Sequence, residues 1–205
     1  QDTARSALEG DMHWAERTIE ARLHAHQDFL TELGREQEFR QLTYESFQVR
    51  ASRYVRDNPE ISAIIWGSID GKVEWVAPNE STATFVGEQL TGIRLSALQE
   101  ALRTRRELFS PDYAGADQRR ANDLILPVQQ GSADLGAFIA MQSLEGLLRV
   151  TLPTSFTSRY SLSVVDAENR EVFSNSSVRP TDRRISGTIS LDLPSNRLGL
   201  NIVAY

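Results

Sequence analysis

The sequence predicts an α+β fold: a long N-terminal helix followed by two tandem antiparallel-sheet modules, the second reduced. Three observations carry this. From Asp2 to about Gln37 an apolar residue recurs every three or four positions. Between residues 57 and 148, β-branched and aromatic runs alternate with turn signals and a single helical stretch. After about residue 157 a similar hairpin pattern begins again with almost no helix between its strands.

The opening helix owes its stripe to Leu8, Met12, Ala15, Ile19, Leu23, His26, Leu30 and Leu33, with charged residues filling the other faces. About 35 helical residues span roughly 50 Å at 1.5 Å per residue, far beyond the usual globular helix of about 11–12 residues. A core helix of an ordinary bundle is one reading. The other, favoured by the length, is a stalk that pairs with its copy, so a homodimer through this helix is expected. A second helix is predicted over about Glu38 to Arg56, with Phe39, Leu42, Phe47, Val49 and Val55 as buried positions. "DNPE" ends it, because Pro59 disfavours the α conformation at Asn58.

The larger module opens with a hairpin, Ile61 to Ile69 and Lys72 to Ala77, turning at Asp70-Gly71. A helix over about Leu95 to Arg105 follows, with Leu95, Leu98, Ala101 and Leu102 on one face. "ELFSPDY" reads as a third strand and "GADQRRAND" as a charged loop. "LILPVQQ" and "LGAFIAMQS" form a hairpin across "GSAD". Five antiparallel strands with a helical insertion after the second is the order of a PAS-like module. "LEGLLRVTLPTSF" is a helical connector that Pro153 ends or kinks. "YSLSVVDAENREVFSN", "RRISGTISLDL" and "RLGLNIVAY" supply the smaller PAS-like module, the last two joined at Pro194-Ser195-Asn196. The expected units are 1–56, 57–148 and 149–205.

Composition narrows the function. A formal net charge of -6 argues against a nucleic-acid surface, which needs clustered Lys and Arg. The chain has no cysteine, which excludes disulfides, zinc-thiolate sites and cysteine nucleophiles. Its 3 histidines, His13, His24 and His26, all fall on the long helix, and no Ser-His-Asp set is suggested. Glu20, His24 and Asp28 share a helical face, but such rows are common on solvated surfaces, so no metal is assigned. "GSADLG" lies between two strands and offers no phosphate loop. No catalytic residue and no cofactor are expected. "RTRRE" and "DQRRAND" read as solvated surface, with contact to an anionic ligand or a lipid headgroup as the alternative. No run approaches the roughly 18 apolar residues of a membrane span. The chain opens inside a helical pattern and stops inside a strand pattern, as a fragment of a longer protein would.

"YVRDNPEISAIIWGSIDGKVEWVAPN", "LSALQEALRTRRELFSP" and "LILPVQQGSADLGAFIAM" together resemble the extracytoplasmic sensor modules of bacterial transmembrane receptors. The pattern is similar to that of CHASE-type domains, relatives of the double-Cache family, over about Tyr54 to Leu148. The resemblance implies a periplasmic domain between two transmembrane helices, with the larger module far from the membrane. It also implies a cytoplasmic output, most often a histidine kinase or a cyclic-di-GMP enzyme. The Tyr/Arg/Trp/Asp signature of the amino-acid-binding variety is not placed on this sequence, so no amino acid ligand follows from it.

The candidate ligand site is the concave face of the larger sheet. Trp66, Trp75, Phe109, Leu126 and Phe138 are expected to line a pocket beneath the 95–105 helix, with Ala140 and Gly136 leaving room. Arg94, Ser110, Asp123 and Gln142 are the polar candidates. The competing reading makes each aromatic ordinary core, and strand alternation means that Trp66 and Trp75 need not share a face. Two functions follow: a small-molecule sensor, or a dimerising interaction module whose pocket its own side chains fill.

Overall fold

A computed structural model describes residues 2–175, 186–193 and 196–204. Helix α1 (Asp2–Glu38) runs for 37 residues without a break. Arg40, left-handed at φ 53°, ends that path, so α2 (Tyr44–Asp57) starts six residues later than the sequence pattern predicts. Thr43 caps it, its hydroxyl accepting from the Ser46 amide at 3.2 Å. α2 stops at Asn58, as Pro59 requires.

β1 (Ile61–Gly67), β2 (Val73–Ala77), β3 (Leu108–Phe109), β4 (Tyr113–Ala114), β5 (Arg120–Gln130) and β6 (Ala133–Ser143) form one antiparallel sheet. Its order is β2-β1-β6-β5-β3, with β4 also on β5. α3 (Gly92–Thr104) enters after β2. Helices α4 (Leu144–Thr151) and α5 (Thr154–Thr157) follow, separated by Pro153. β7 (Tyr160–Val165), β8 (Glu171–Ser174), β9 (Ser186–Leu193) and β10 (Asn196–Ala204) make the second sheet, ordered β8-β7-β10-β9. The predicted α+β class, a long helix with two antiparallel sheets, is the observed one. Positions 183–185, the Pro194-Ser195 joint and Tyr205, all read from sequence as strand or turn, lie outside the described residues.

Two local readings are corrected. "ELFSPDY" gives two short strands, because Pro111 interrupts the run. β5 starts at Arg120, inside the segment read as a charged loop, so Asn122 and Asp123 belong to the ladder and are fully buried.

The larger sheet divides its side chains by strand alternation. Ile64, Trp66, Phe109, Leu124, Val128, Phe138 and Ala140 pack against α1 and α2. Ala63, Ile65, Val73, Leu108, Ile125, Ile139 and Met141 pack on the other side against Ala97, Leu98, Ala101 and Leu102 of α3. α1 then continues past this sheet onto the smaller one. Near its C-terminal end Gly34 lies so close to β5 that an added Cβ would sit 2.8 Å from a Leu126 methyl. Towards its N-terminus Asp11 accepts from the Tyr160 hydroxyl at 2.5 Å. Met12 covers Gly187 of β9, where an added Cβ would overlap its sulfur. The stripe expected to need a partner helix is thus covered within the chain: Leu8, Ala15, Ile19, Leu23, Leu30 and Leu33 are all buried. Phe39 and Val49, expected to be buried, are 67% and 71% exposed. Phe39 falls at the end of α1, and Val49 on the outward side of α2, whose inward side is Phe47 and Ala51.

Trp66 and Trp75 are direct cross-strand partners and so share a face, with ring centroids 6.4 Å apart. Phe138 meets Trp66 at 4.7 Å and Phe47 of α2 meets Trp75 at 5.3 Å. Gly136, at φ 150°, admits the indole: an added Cβ would lie 2.8 Å from Trp66 Cζ2 and 2.4 Å from the Gly67 carbonyl. Both tryptophans are core beneath α2. Trp66→Ala is therefore expected to cost about 3–5 kcal/mol. Trp75→Ala, at a half-buried position, should cost less. Denaturant unfolding of the two variants measures the difference, and a larger loss at Trp75 would contradict this packing.

Candidate functional site

The α3 side of the larger sheet carries a cavity of about 230 Å³. Its floor is sheet: Ser62, Ala121, Met141 and Ser143. The 78–91 connection contributes Thr82 and Ala83, the β4–β5 turn contributes Gly115, Ala116, Asp117 and Arg119, and β5 contributes Arg120. Pro59, Glu60, Glu145, Gly146 and Arg149 close the remaining wall. The walls are built locally. Thr84 Oγ1 donates to Glu88 at 2.5 Å, which folds the long connection back on itself. Gly115 donates to the Arg119 carbonyl at 2.8 Å, with Gln118 left-handed at φ 63°, so the β4–β5 turn is tight. Ser143 caps α4 by accepting from the Gly146 amide at 3.0 Å.

Two steps from Ala121 along the same face of β5, and directly opposite Met141, lies Asp123. Its carboxylate is fully buried and accepts from Arg94 Nε at 2.7 Å, Arg94 Nη2 at 3.3 Å and the Tyr113 hydroxyl at 2.6 Å. The Arg94 guanidinium also stacks over the Tyr113 ring at 4.9 Å. The Ser110 hydroxyl accepts from the Asp123 amide at 2.8 Å. Three elements thus converge on one buried charge: α3 by Arg94, β4 by Tyr113 and β5 by Asp123. Burial would lower the Arg94 pKa, but the Asp123 carboxylate outweighs it and the net shift is upward. Burial, then the adjacent Asp123 charge, push the Tyr113 phenol well above the usual tyrosine range.

A second buried polar cluster backs the cavity wall. Glu60 accepts from Arg22 Nε at 2.6 Å and Arg22 Nη2 at 3.1 Å, and its Oε1 lies 2.8 Å from His26 Nε2. The other ring nitrogen, His26 Nδ1, is 2.7 Å from the Tyr54 hydroxyl, and Tyr54 stacks on Phe29 at 3.9 Å. Burial alone would raise the Glu60 pKa, yet hydrogen bonds from His26 and Arg22 bring it down to about 2. Burial also pushes the Tyr54 phenol up to about 12.

The structure divides the ten candidate residues of the sequence. Arg94, Ser110 and Asp123 come together beside the cavity. Trp66, Trp75, Phe109, Leu126, Phe138 and Ala140 lie on the opposite side of the sheet, beneath α1 and α2 rather than beneath α3. Register decides this: Leu126 pairs with Phe138, and Phe138 with Trp66, while Asp123 is an odd number of residues away from Leu126. Gln142 shares the aromatic side as the cross-strand partner of Asn122. Both are fully buried, and Asn122 Oδ1 and the Gln142 amide atoms have no hydrogen-bond partner among the described residues. Tyr113, Glu60, Thr82 and Arg149 were not singled out from the sequence. Arg119 and Arg120 were, within the basic cluster read mainly as solvated surface, and they stand at the cavity rim. Arg119 lies 3.6 Å from Asp117, Arg120 3.2 Å from Asp112 and Arg149 2.5 Å from Glu145. Among the described residues no group of three His, Asp or Glu is placed to hold a metal ion, and no helix is long and apolar enough to cross a membrane.

No family model and no curated protein matches the chain. Solved structures match its fold. The ligand-binding domain of the Pseudomonas aeruginosa amino acid chemoreceptor PctB, in complex with L-Arg, has a TM-score of 0.73 at 13% identity, over 100% of this chain and 96% of that one. The sensor domain of the Vibrio cholerae histidine kinase DctB has a TM-score of 0.68 at 9% identity, over 99% and 97%. An extracellular ligand-binding receptor from Desulfohalobium retbaense has a TM-score of 0.71 at 11% identity, over 95% of this chain but 39% of that one. The chain has the fold of extracytoplasmic sensor domains.

A pH dependence follows from Glu60. Its folded pKa of about 2 lies below the ordinary 4.5, so the folded state binds its proton less readily than the unfolded one. The stability it contributes is complete above pH about 4.5 and is lost as the pH falls towards about 2. Glu60→Gln should flatten the stability profile in that window, followed by denaturant unfolding at successive pH values. An unchanged slope would mean that the cluster does not hold the carboxylate as described.

Proposed function

We propose that this chain is the ligand-sensing domain of a bacterial transmembrane signalling receptor, of the CHASE or double-Cache kind. It stands in the periplasm between two membrane helices and reports to a histidine kinase. The observation that carries the reading is the cavity on the α3 face of the larger sheet. It has a partly polar lining, a buried Arg-Asp-Tyr cluster at one end and the long helix on the other side of the sheet. Its volume falls below the roughly 300–1,000 Å³ of drug-sized sites, which suits a small polar metabolite. Arg94, Ser110 and Asp123 belong to this site by position. Trp66, Trp75, Phe109, Leu126, Phe138, Ala140 and Gln142 act through the sheet that carries it. The PctB domain is described with L-Arg, so amino acids are the first candidates to test. The receptor works as a homodimer with α1 facing its copy. Since the inward stripe is used within the chain, the contact falls to the outward side, where Trp14 is 45% exposed.

The alternative is a dimerising interaction module of a cyclic-di-GMP enzyme or chemoreceptor, with no small ligand. A thermal-shift screen with amino acids, organic acids and purines separates the two. A ligand at 100 times its dissociation constant stabilises by about 2.7 kcal/mol. Ala121→Trp, which fills the cavity from its floor, should abolish that gain while the unliganded protein still unfolds cooperatively. A flat response across the panel favours the interaction module. A ligand that stabilises Ala121→Trp as well as the parent binds elsewhere.

A further inference from the structure

We propose that Glu60 is the mechanical link between the cavity and the long helix, so that a change at the cavity wall moves α1 through the Glu60–Arg22–His26 clasp. The relevance to sensing rests on the cavity being the ligand site; the link itself stands on geometry. Glu60 is at once part of the cavity wall and bonded to α1. Its carbonyl accepts from the Ser143 amide at 2.8 Å, the residue that caps α4. Gly146 of α4 presses on it: an added Cβ would lie 3.1 Å from Glu60 Cα and 3.2 Å from Glu60 Cβ. Ser143, Glu145, Gly146 and Arg149 are all cavity wall. The backbone of Glu60 is therefore fastened to the wall.

Its side chain faces the other way. The carboxylate has no exposed surface, and neither has the His26 ring. Arg22 grips both carboxylate oxygens and His26 one of them, so three bonds from one turn of α1 converge on a single side chain. Pulling these groups apart would strand a buried carboxylate away from its guanidinium and imidazole partners, which is far more costly than a small shift of the whole helix. A displacement of Glu60 is transmitted rather than absorbed. Tyr54 braces His26 from α2, and its ring stacks on Phe29, so α2 and α1 move with the clasp. From Arg22 to Asp2 the helix covers about 30 Å at 1.5 Å per residue. Along that length Asp11 and Met12 seat it on the smaller sheet. A shift introduced at Glu60 thus reaches the Tyr160 and Gly187 contacts at the far module.

The chain has no cysteine, so Ala83→Cys places one thiol in the cavity wall. Alkylation with iodoacetamide then fills part of the cavity without any natural ligand. Hydrogen exchange of the α1 amides between residues 19 and 30 is measured before and after alkylation. It is compared in Ala83→Cys, Ala83→Cys with Glu60→Gln, and Ala83→Cys with Arg22→Lys. The expected result is a change of at least about fivefold in Ala83→Cys that falls below about twofold in both double variants. The readout is the response to alkylation, not the resting exchange, so a clasp that merely stabilises the fold would leave it unmoved. If Glu60→Gln fails to fold, Arg22→Lys, which keeps the charge but loses the two-pronged grip, decides. An α1 that stays silent with the thiol fully alkylated overturns the proposal, as does an equal response in all three proteins. A metabolite screen that is flat while α1 responds to the adduct would defeat the ligand reading and leave the link intact.

Discussion

One apolar stripe on α1 has to serve as the closing wall of two separate sheets, and most of the architecture follows from that requirement. A four-stranded sheet with only a short helical connector cannot bury its inner face by itself. The N-terminal part of the stripe supplies what it lacks, with Met12 seated on Gly187, while at the other end Gly34 packs against Leu126 of the larger sheet. The two modules therefore share one continuous apolar cluster. Neither module can shift against α1 without disturbing contacts that the other depends on, which makes the helix a rigid common part.

Spending one side of the larger sheet on α1 and α2 determines what the other side can do. The aromatic residues are concentrated where two helices cover them, and the rings of Trp66, Trp75, Phe138 and Phe47 interlock there. The opposite side is covered by α3 over one part, and over the rest by the 78–91 connection, the β4–β5 turn and one edge of α4. That is where the cavity opens, and where Asp123 can be buried because Arg94 and Tyr113 reach it from separate elements. A buried carboxylate is tolerated only with such partners. The Arg94 pair sits on the cavity side and the Arg22 pair on the helix side, so each face of the sheet carries one neutralised carboxylate.

Much of this was legible in the sequence. The stripe of α1, the Asp70-Gly71 hairpin and the restart of strands after Pro153 are period and turn signals, and they fixed the class of fold. What failed was facing. Trp66 and Trp75 do share a side as direct cross-strand partners, but which helices cover that side is decided by packing between residues far apart in the chain, which alternation along a strand does not show. A charged loop was read where β5 begins, since Arg119 and Arg120 look solvated in sequence, whereas Asp123 beside them is paired with a residue 29 positions away. Pairings over such distances leave no periodic trace. Glu60 was invisible for the same reason: its partners Arg22 and His26 stand 38 and 34 residues earlier.

The length of α1 reads differently once its partners are known. From sequence, a helix of this span seemed to need a second copy to hide its apolar side. In the structure each end has its own partner, Gly34 against β5 and Met12 against β9. Between those ends the helix is clasped by charge at Glu60, whose two oxygens Arg22 grips. Apolar contacts slide with little directional penalty because dispersion is short-ranged and nearly isotropic, whereas a two-pronged guanidinium–carboxylate pair fixes both distance and angle. Relative motion between sheet and helix thus meets a directional restraint at the clasp as well as the packing along the stripe. The directional contact that Arg22 and His26 make with the cavity wall is for that reason the place where a small change at the wall acquires a direction along the helix.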